Sequence, residues 1–348
     1  MTAPPAPRAT MKDVAALAGV SPKTVSNVVT GTVVVRAETR ARVEAAMAEL
    51  DFVPNLSARG LRNGRSGIIA VALPDLGTAY SAQLVHRIVA AAHDRGLAVQ
   101  VEETATEPER EKELLSRARA HLIDGLILNP IRLEDSVVKY ADRLPPLVVI
   151  GEVEQNRADH VRIDSRVAAS EATCHVISRG ARRIAVIGAD DDPAFETATS
   201  RMRLAGVHDA LREAGIARDR RLEVNLLPWT MAGGAEAARM LLAREVDFDA
   251  VVAFTDSIAF GAMHTLHDAG IRVPDDVIVT GFDDVELSAF TSPSLTTVAF
   301  DLGDFAEAAL GLLESRMDDR VSPPRGLILP HRLIARASTS ASPAGYHP

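Results

Sequence analysis

The chain has 348 residues and a formal net charge of −9, enough length for a small domain beside a body of two lobes. That charge excludes indiscriminate binding to nucleic acid. A single cysteine, Cys174, excludes an internal disulfide framework and suits a reducing compartment.

The charge is unevenly spread. Residues 1–66 hold nine Lys and Arg against five Asp and Glu, +4, which leaves −13 for the remainder. A basic head on an acidic body confines contact with any polyanion to the head. Met1 to Ala9, rich in Pro and Ala, has no apolar segment of a signal peptide and reads as a disordered arm, and no run is long enough to span a membrane. A cytoplasmic location with no membrane partner is the expectation. Cys174 falls in an apolar helical stretch, where burial is expected.

Thr10 opens the first helix, with Asp13 three residues on to complete a capping box. Met11 to Ala18 places Val14, Leu17 and Ala18 on one face. Gly19 allows the turn that ends it. Ser21 is a good N-cap for the next helix, and Pro22 stands at its first position, where a missing N–H costs nothing. Val20, Val25 and Val28 then face inward and leave Pro22, Lys23, Ser26 and Asn27 outward, the set a helix-turn-helix needs in a major groove. Two short helices around a glycine also occur in any α-rich protein, so this pattern alone does not decide for DNA. A third helix, Arg36 to Leu50, brings Val43, Met47 and Leu50 to close a three-helix core. Asn55 caps a further segment, Leu56 to Leu61, too short to be stable alone. Gly60 weakens it by about 1 kcal/mol relative to Ala. A marginal helix ending in Leu makes sense if two copies pair on DNA and wedge their leucines into the minor groove.

These residues resemble the LacI family of transcriptional regulators. The resemblance is carried by Met11-Lys12-Asp13-Val14-Ala15, Ala18-Gly19-Val20-Ser21, Thr24-Val25-Ser26, Thr39-Arg40, Val43, Leu50, Pro54-Asn55 and Ala58-Arg59-Gly60-Leu61, and it continues through nearly the whole chain. It implies an N-terminal all-α helix-turn-helix domain at 10–54 and a hinge helix and linker at 55–66. An effector-binding and dimerisation body at 67–336 and a tail at 337–348 follow. The body is expected to be α/β and periplasmic-binding-protein-like, two doubly wound parallel-sheet lobes. Thr10, Ser21, Pro22, Lys23, Thr24, Ser26 and Asn27 of the head and Asn55, Ala58, Arg59 and Leu61 of the hinge are the implied DNA contacts. Lys23 suits guanine acceptors and Asn27 adenine; Ser21, Thr24 and Ser26 suit phosphates or caps.

From Gly67 onward, short aliphatic runs alternate with amphipathic helices, the pattern of parallel βα units. One set of strands reads Ile68–Leu73, Leu97–Glu102, Ile123–Leu128, Leu147–Ile150 and Val161–Ile163; a second reads Ile184–Ile187, Leu222–Asn225, Ala250–Phe254, Val277–Thr280 and Thr297–Ala299. Helices such as Ala79–Arg95, Ser200–Ala214, Ala232–Ala243 and Ser257–Ala269 fall between them. Two sets of five suggest two similar doubly wound sheets. A last helix, Asp304 to Met317, and a final strand, Leu327 to Ala335, are expected to cross back between lobes. Crossings near 164, 300 and 325 are what the resemblance implies.

Ligands of such sheets bind beyond the carboxyl ends of the strands. Asp75 and Tyr80 follow the first strand, Asn129 the third, Glu152 the fourth, and Asp164 ends the fifth. Asp190 and Asp191, Trp229 (the only Trp), Asp256 and Asp283 follow strands of the second set. Carboxylates that accept from hydroxyls, with a ring to lie against an apolar sugar face, make a polyol or sugar site. Each acid alone reads more readily as a helix N-cap. The resemblance matches Arg203 to an effector-contacting arginine and Asp256 and Asp283 to cleft acids, and it puts Asp164 and Trp229 at positions that line the same cleft. The run Pro74-Asp75-Leu76-Gly77-Thr78-Ala79-Tyr80 departs from the family's Asn-Pro-aromatic-aromatic pattern, so no particular sugar carries over.

His264 and His267, with Asp268, share a helix face, but no further Cys or His nearby completes a metal site. The motifs H-E-x-x-H, G-x-x-x-x-G-K-[ST] and G-x-S-x-G are absent. No metal, no cofactor and no enzymatic activity are expected. A sugar-binding protein would not carry the head, and a sugar-metabolising enzyme would need an acid and a base aimed at one bond. The remaining expectation is a homodimeric repressor on a near-palindromic double-stranded operator, controlled by a small-molecule effector, a sugar. The alternative is a nucleobase-like or phosphorylated corepressor. The tail has no apolar heptads, so a dimer without a tetramerising helix is expected.

Overall fold

The computed structural model describes residues 9–30, 33–52, 65–105, 107–132, 136–141, 143–188, 197–224, 227–340, 343–345 and 347. The chain falls into two units, 1–67 and 68–348. The expected arm up to Arg8, the hinge residues 53–64, and Asp190 and Asp191 lie outside the described residues.

The first unit contains α1 (Met11–Ala18), α2 (Pro22–Thr30) and α3 (Ala37–Glu49). Thr10 and Asp13 form the expected capping box, and Gly19 ends α1 at φ +63°. The Ser21 hydroxyl accepts from the Thr24 backbone N–H at 3.1 Å, which caps α2. Val14, Val25, Val28 and Val43 are buried together, with Met47 and Leu50 packed alongside. One expectation changes. Leu17 is 46% exposed, and Ala15 takes its place in the core. Small residues at Ala15 and Ala18 let α1 lie close, so the buried stripe turns one position toward Ala15.

The second unit holds two six-stranded sheets. The first lobe comprises β1 (Ile68–Leu73), α4 (Ala79–Asp94), β2 (Ala98–Glu103), α5 (Pro108–Arg119), β3 (Gly125–Leu128), α6 (Val137–Tyr140), β4 (Leu147–Ile150) and β5 (Asp159–Ile163). The second comprises α7 (Ser165–Ser178), β6 (Ile184–Ile187), α8 (Ala198–Glu213), β7 (Glu223–Val224), α9 (Met231–Ala243), β8 (Ala250–Ala253), α10 (Asp256–Asp268), β9 (Ile278–Phe282) and β10 (Thr296–Ala299). The chain then forms α11 (Leu302–Asp318), β11 (Gly326–Leu329) and β12 (Arg332–Ile334). The sheet orders are β11-β5-β4-β3-β1-β2 and β12-β10-β9-β8-β6-β7. Leaving out β11 and β12, both follow the doubly wound order whose switch point lies between the first and third strands of each set.

Both faces of each sheet are covered, which is why the strands read as continuous apolar runs. Alternate residues of β1 part company: Ile69, Val71 and Leu73 meet α4 and α11, while Ala70 and Ala72 face α5. In the second lobe Ile187, Val251 and Val279 pack under α9 and α10, and Val186, Val252 and Ile278 under α7 and α8.

The expected final strand is two strands. β11 pairs parallel with β5, Gly326 opposite His160, whereas β12 pairs antiparallel with β10, Ile334 opposite Thr297. Pro330, with no N–H to give a ladder, stands between them. The chain thus passes between lobes after β5, after β10 and between β11 and β12. Asp159, fully buried, holds the returning segment: Arg316 donates to both of its oxygens at 2.9 and 3.0 Å, and the Arg325 backbone N–H donates at 2.7 Å.

Two further expectations are corrected. Cys174 is exposed, because α7 buries Ala168, Ala172 and Val176 and turns position 174 outward. The segment after Ala337 begins as a plug rather than a free tail. Ser338 is buried, donates to the Val279 carbonyl at 2.7 Å and accepts from the Thr296 N–H at 2.8 Å.

Candidate functional site

The first unit presents the face expected of a helix-turn-helix. Ser21, Pro22 and Lys23 are exposed, and Thr24, Ser26 and Asn27 half-buried. Ser21 and Thr24 hydroxyls lie 2.9 Å apart and serve the cap, which leaves Lys23 as the long side chain at the start of α2. Thr10 is engaged by Asp13 at 2.6 Å. Val34, after α2, is 98% exposed, an apolar side chain that sequence reasoning passed over. Asn55, Ala58, Arg59 and Leu61 lie outside the described residues.

In the second unit a cavity of about 610 Å³ opens beyond the carboxyl ends of both sheets and is walled by both lobes. Asp75, Tyr80, Asn129, Arg203, Trp229 and Asp283 all line it. Thr78 caps α4, accepting from the Ser81 N–H at 3.2 Å, and so fixes the turn that presents Tyr80. Tyr80 leans on Phe300, and Phe300 on Phe305, with ring centres 6.2 and 5.9 Å apart. Trp229 meets Phe254 edge-on at 6.2 Å. Rings therefore come from both lobes, offering apolar faces of the kind a pyranose ring covers.

Arg203 is 6% exposed. It reaches the cavity from α8, lies over the Phe282 ring at 3.4 Å, and donates to the Phe254 carbonyl. Its Nη2 stands 3.8 Å from Asp283 Oδ1. Burial pushes the Asp283 carboxyl well above the usual carboxylate range while Arg203 pulls it back. Asp283 sits at φ +111°, a conformation L-residues rarely adopt, with its N–H donating to the Val298 carbonyl at 2.9 Å. A fixed donor beside a fixed acceptor suits neighbouring hydroxyls.

Asp164 and Asp256 do not line the cavity. Asp164 caps α7, accepting from the Val167 N–H at 3.1 Å. Asp256, fully buried, binds the β9–β10 region to α10 by accepting from the Val285 N–H at 2.9 Å, Ser288 Oγ at 2.7 Å and Thr297 Oγ1 at 2.6 Å. Burial raises its pKa to about 6, against the pull of those three bonds. An unfolded Asp titrates near ~3.9. The native state therefore binds the extra proton between about pH 4 and pH 6, and the stability this proton contributes is lost as pH rises through that window. Thermal melts from pH 4 to 7 are expected to show the wild type losing stability relative to Asp256→Asn as pH rises; parallel curves would contradict the shift.

Glu152, one of the acids that follow strands in the sequence, is not among the residues the resemblance assigns to the cleft. It lines the cavity, is 5% exposed, and accepts from Ser165 Oγ at 2.9 Å. Its Oε2 is buried without a hydrogen-bond partner among the described residues. Burial raises its pKa, while Ser165, Arg203 and Arg162 lower it. Only its position among the neighbours marks it out; a lone acid after a strand is no sequence signal.

Among the described residues no group of three or more His, Cys, Asp or Glu is placed to hold a metal ion, and no helix is long and apolar enough to cross a membrane. His264 pairs with Asp268 at 3.4 Å on an exposed face.

Comparison with known proteins agrees with this architecture. Residues 10–55 match the bacterial regulatory proteins of the lacI family, and residues 173–339 match the periplasmic binding protein-like domain. The transcriptional regulator GalR of Escherichia coli K12 is 31% identical, covering 95% of this chain and 96% of its own. The transcriptional repressor CytR of the same strain is 31% identical over 96% of this chain and 97% of its own. The lac repressor dimer bound to operator and an anti-inducer superposes with a TM-score of 0.82 at 28% identity, covering 96% of this chain and all of that one. The regulator CelR in complex with cellobiose gives 0.70 at 29% identity, covering 95% and 100%. Head, two-lobed body and these likenesses together make the chain a DNA-binding transcriptional regulator of the LacI family.

Proposed function

We propose that this regulator is a cytoplasmic repressor that holds a near-palindromic operator as a homodimer and releases it when a sugar fills the cavity between its lobes. The observation that carries the reading is the cavity wall itself: Arg203, Asp283 and Trp229 stand on one lobe, and Asp75, Tyr80, Asn129 and Glu152 on the other. A ligand that touches both favours the arrangement in which both reach it, and so biases the relative angle of the lobes. Aromatic faces and acceptors among the lining residues suit a polyhydroxylated ring. The CelR–cellobiose complex and the operator-bound lac repressor dimer are precedents in the same fold.

In this reading the α2 helices of two chains enter successive major grooves, with Lys23 reaching base edges and Asn27 following it. Ser21, Thr24 and Ser26 steady the phosphate backbone, and Thr10 fixes the start of α1. Asn55, Ala58, Arg59 and Leu61 of the hinge segment engage the minor groove, Leu61 wedging a central step. An operator selected from randomised duplexes provides the test, with affinities compared at one salt concentration. Lys23→Ala is expected to lose about 1–3 kcal/mol of discrimination at a single base pair in each half-site. Unchanged discrimination among single-position operator variants would remove Lys23 from base reading.

A further inference from the structure

Charge is the feature of the cavity that the sugar reading leaves unused. Among the described residues that line it, four carboxylates, Asp75, Glu103, Glu152 and Asp283, face two guanidiniums, Arg162 and Arg203. Arg203 is committed to the Phe254 carbonyl, the Phe282 ring and Asp283. Arg162 stands with Nη1 3.9 Å from Glu152 Oε2. A phosphate seated on Arg162 would therefore lie against a buried carboxylate, and one seated on Arg203 against Asp283.

Glu152 Oε2 is an unmet acceptor of this wall: buried, without a hydrogen-bond partner among the described residues, on a residue 5% exposed. Such an atom costs free energy until a donor reaches it. Arg162, close but beyond hydrogen-bond distance, supplies opposite charge without satisfying the oxygen. A hydroxyl satisfies Oε2 with no added charge.

We infer that the effector is an uncharged saccharide, one of whose hydroxyls donates to Glu152 Oε2, and that the cavity rejects its phosphate esters. The inference rests on the sugar reading above and selects within it. Discrimination arises from the unfavourable pairings built against charged relatives as much as from contacts to the neutral one.

The test uses the full-length protein, with Trp229 emission and calorimetry at fixed pH and salt. Matched sets are titrated: glucose and glucose 6-phosphate; galactose and galactose 1-phosphate; cellobiose and its 6′-phosphate. At least one neutral sugar is expected to bind saturably, with its ester at least tenfold weaker. In Glu152→Gln, which keeps an acceptor for Ser165 and removes the charge, the gap between ester and parent is expected to shrink at least threefold. A phosphate ester that binds the wild type as tightly as its parent overturns this inference and leaves the sugar reading standing. Silence from every member of every set overturns the sugar reading, and this inference with it. The wild-type ratios decide the matter even where the variant folds poorly.

Discussion

Replacing Arg203 by Ala is expected to abolish the sugar response and to lower the thermal midpoint of the body by on the order of 10 °C. Arg203 is the buried counter-charge of the cavity: truncation leaves Asp283 without its cation at 3.8 Å, removes a donor from the Phe254 carbonyl, and strips the face of Phe282. Breaking a buried ion pair from one side costs about 3–5 kcal/mol, because the other charge stays behind unpaired. Ligand affinity is expected to fall at least ~100-fold at temperatures well below unfolding. Arg203→Lys, which keeps the charge but loses the planar fork, should fall between the two. Operator binding by Arg203→Ala without sugar is expected to persist, since α1, α2 and α3 close on a core of their own. Calorimetry and operator titration on the same preparation check all three points. Sugar binding by Arg203→Ala at wild-type strength would contradict the site.

Gly261→Ala is expected to be the most disruptive change of a single methyl in the body. A Cβ at Gly261 would lie 1.9 Å from the Met231 carbonyl oxygen and 2.6 Å from the Ala235 nitrogen, both backbone atoms of α9. Across the same crossing, a Cβ at Gly234 would meet the Ile258 carbonyl oxygen at 2.3 Å. The two helices touch through their backbones, and only displacement of one helix admits a side chain. Overpacking of this kind costs about 3 kcal/mol, a fall in thermal midpoint of roughly 8 °C. Gly215→Ala serves as the comparison. A Cβ there meets nothing within 4 Å, so its only penalty is the positive φ of +66°. A melt of Gly261→Ala within 2 °C or so of wild type would mean the helices part more easily than their packing suggests.

The head and the ten strands of the two lobes are legible in the sequence for local reasons. Thr10, Asp13, Gly19 and Ser21 satisfy backbone groups within a few residues of themselves, and strands covered on both faces declare themselves as apolar runs. What depends on distant partners is not legible. Leu327 to Ala335 looks continuous because each half is apolar, yet the halves join different sheets. Asp256 and Asp283 are alike in sequence, acids just beyond strands. Val285, Ser288 and Thr297 wrap the first, while the left-handed backbone at the second turns it to the cavity wall. Glu152 is one more acid after a strand in the sequence for the same reason: the orphaned oxygen that distinguishes it exists only once Ser165 and Arg162 are beside it. Ser338 and Thr339, small and polar, read as tail because the groups they satisfy lie 40 residues or more away.

The most direct measurement is operator affinity as a function of sugar concentration, read by fluorescence anisotropy of a labelled operator at one salt concentration, with Trp229 emission followed in the same sample. If a ligand between the lobes governs the head, both signals share one midpoint and the operator dissociation constant rises at least ~10-fold at saturation, a coupling of about 1.4 kcal/mol. A sugar that saturates the Trp229 signal while the operator dissociation constant stays constant would contradict the account.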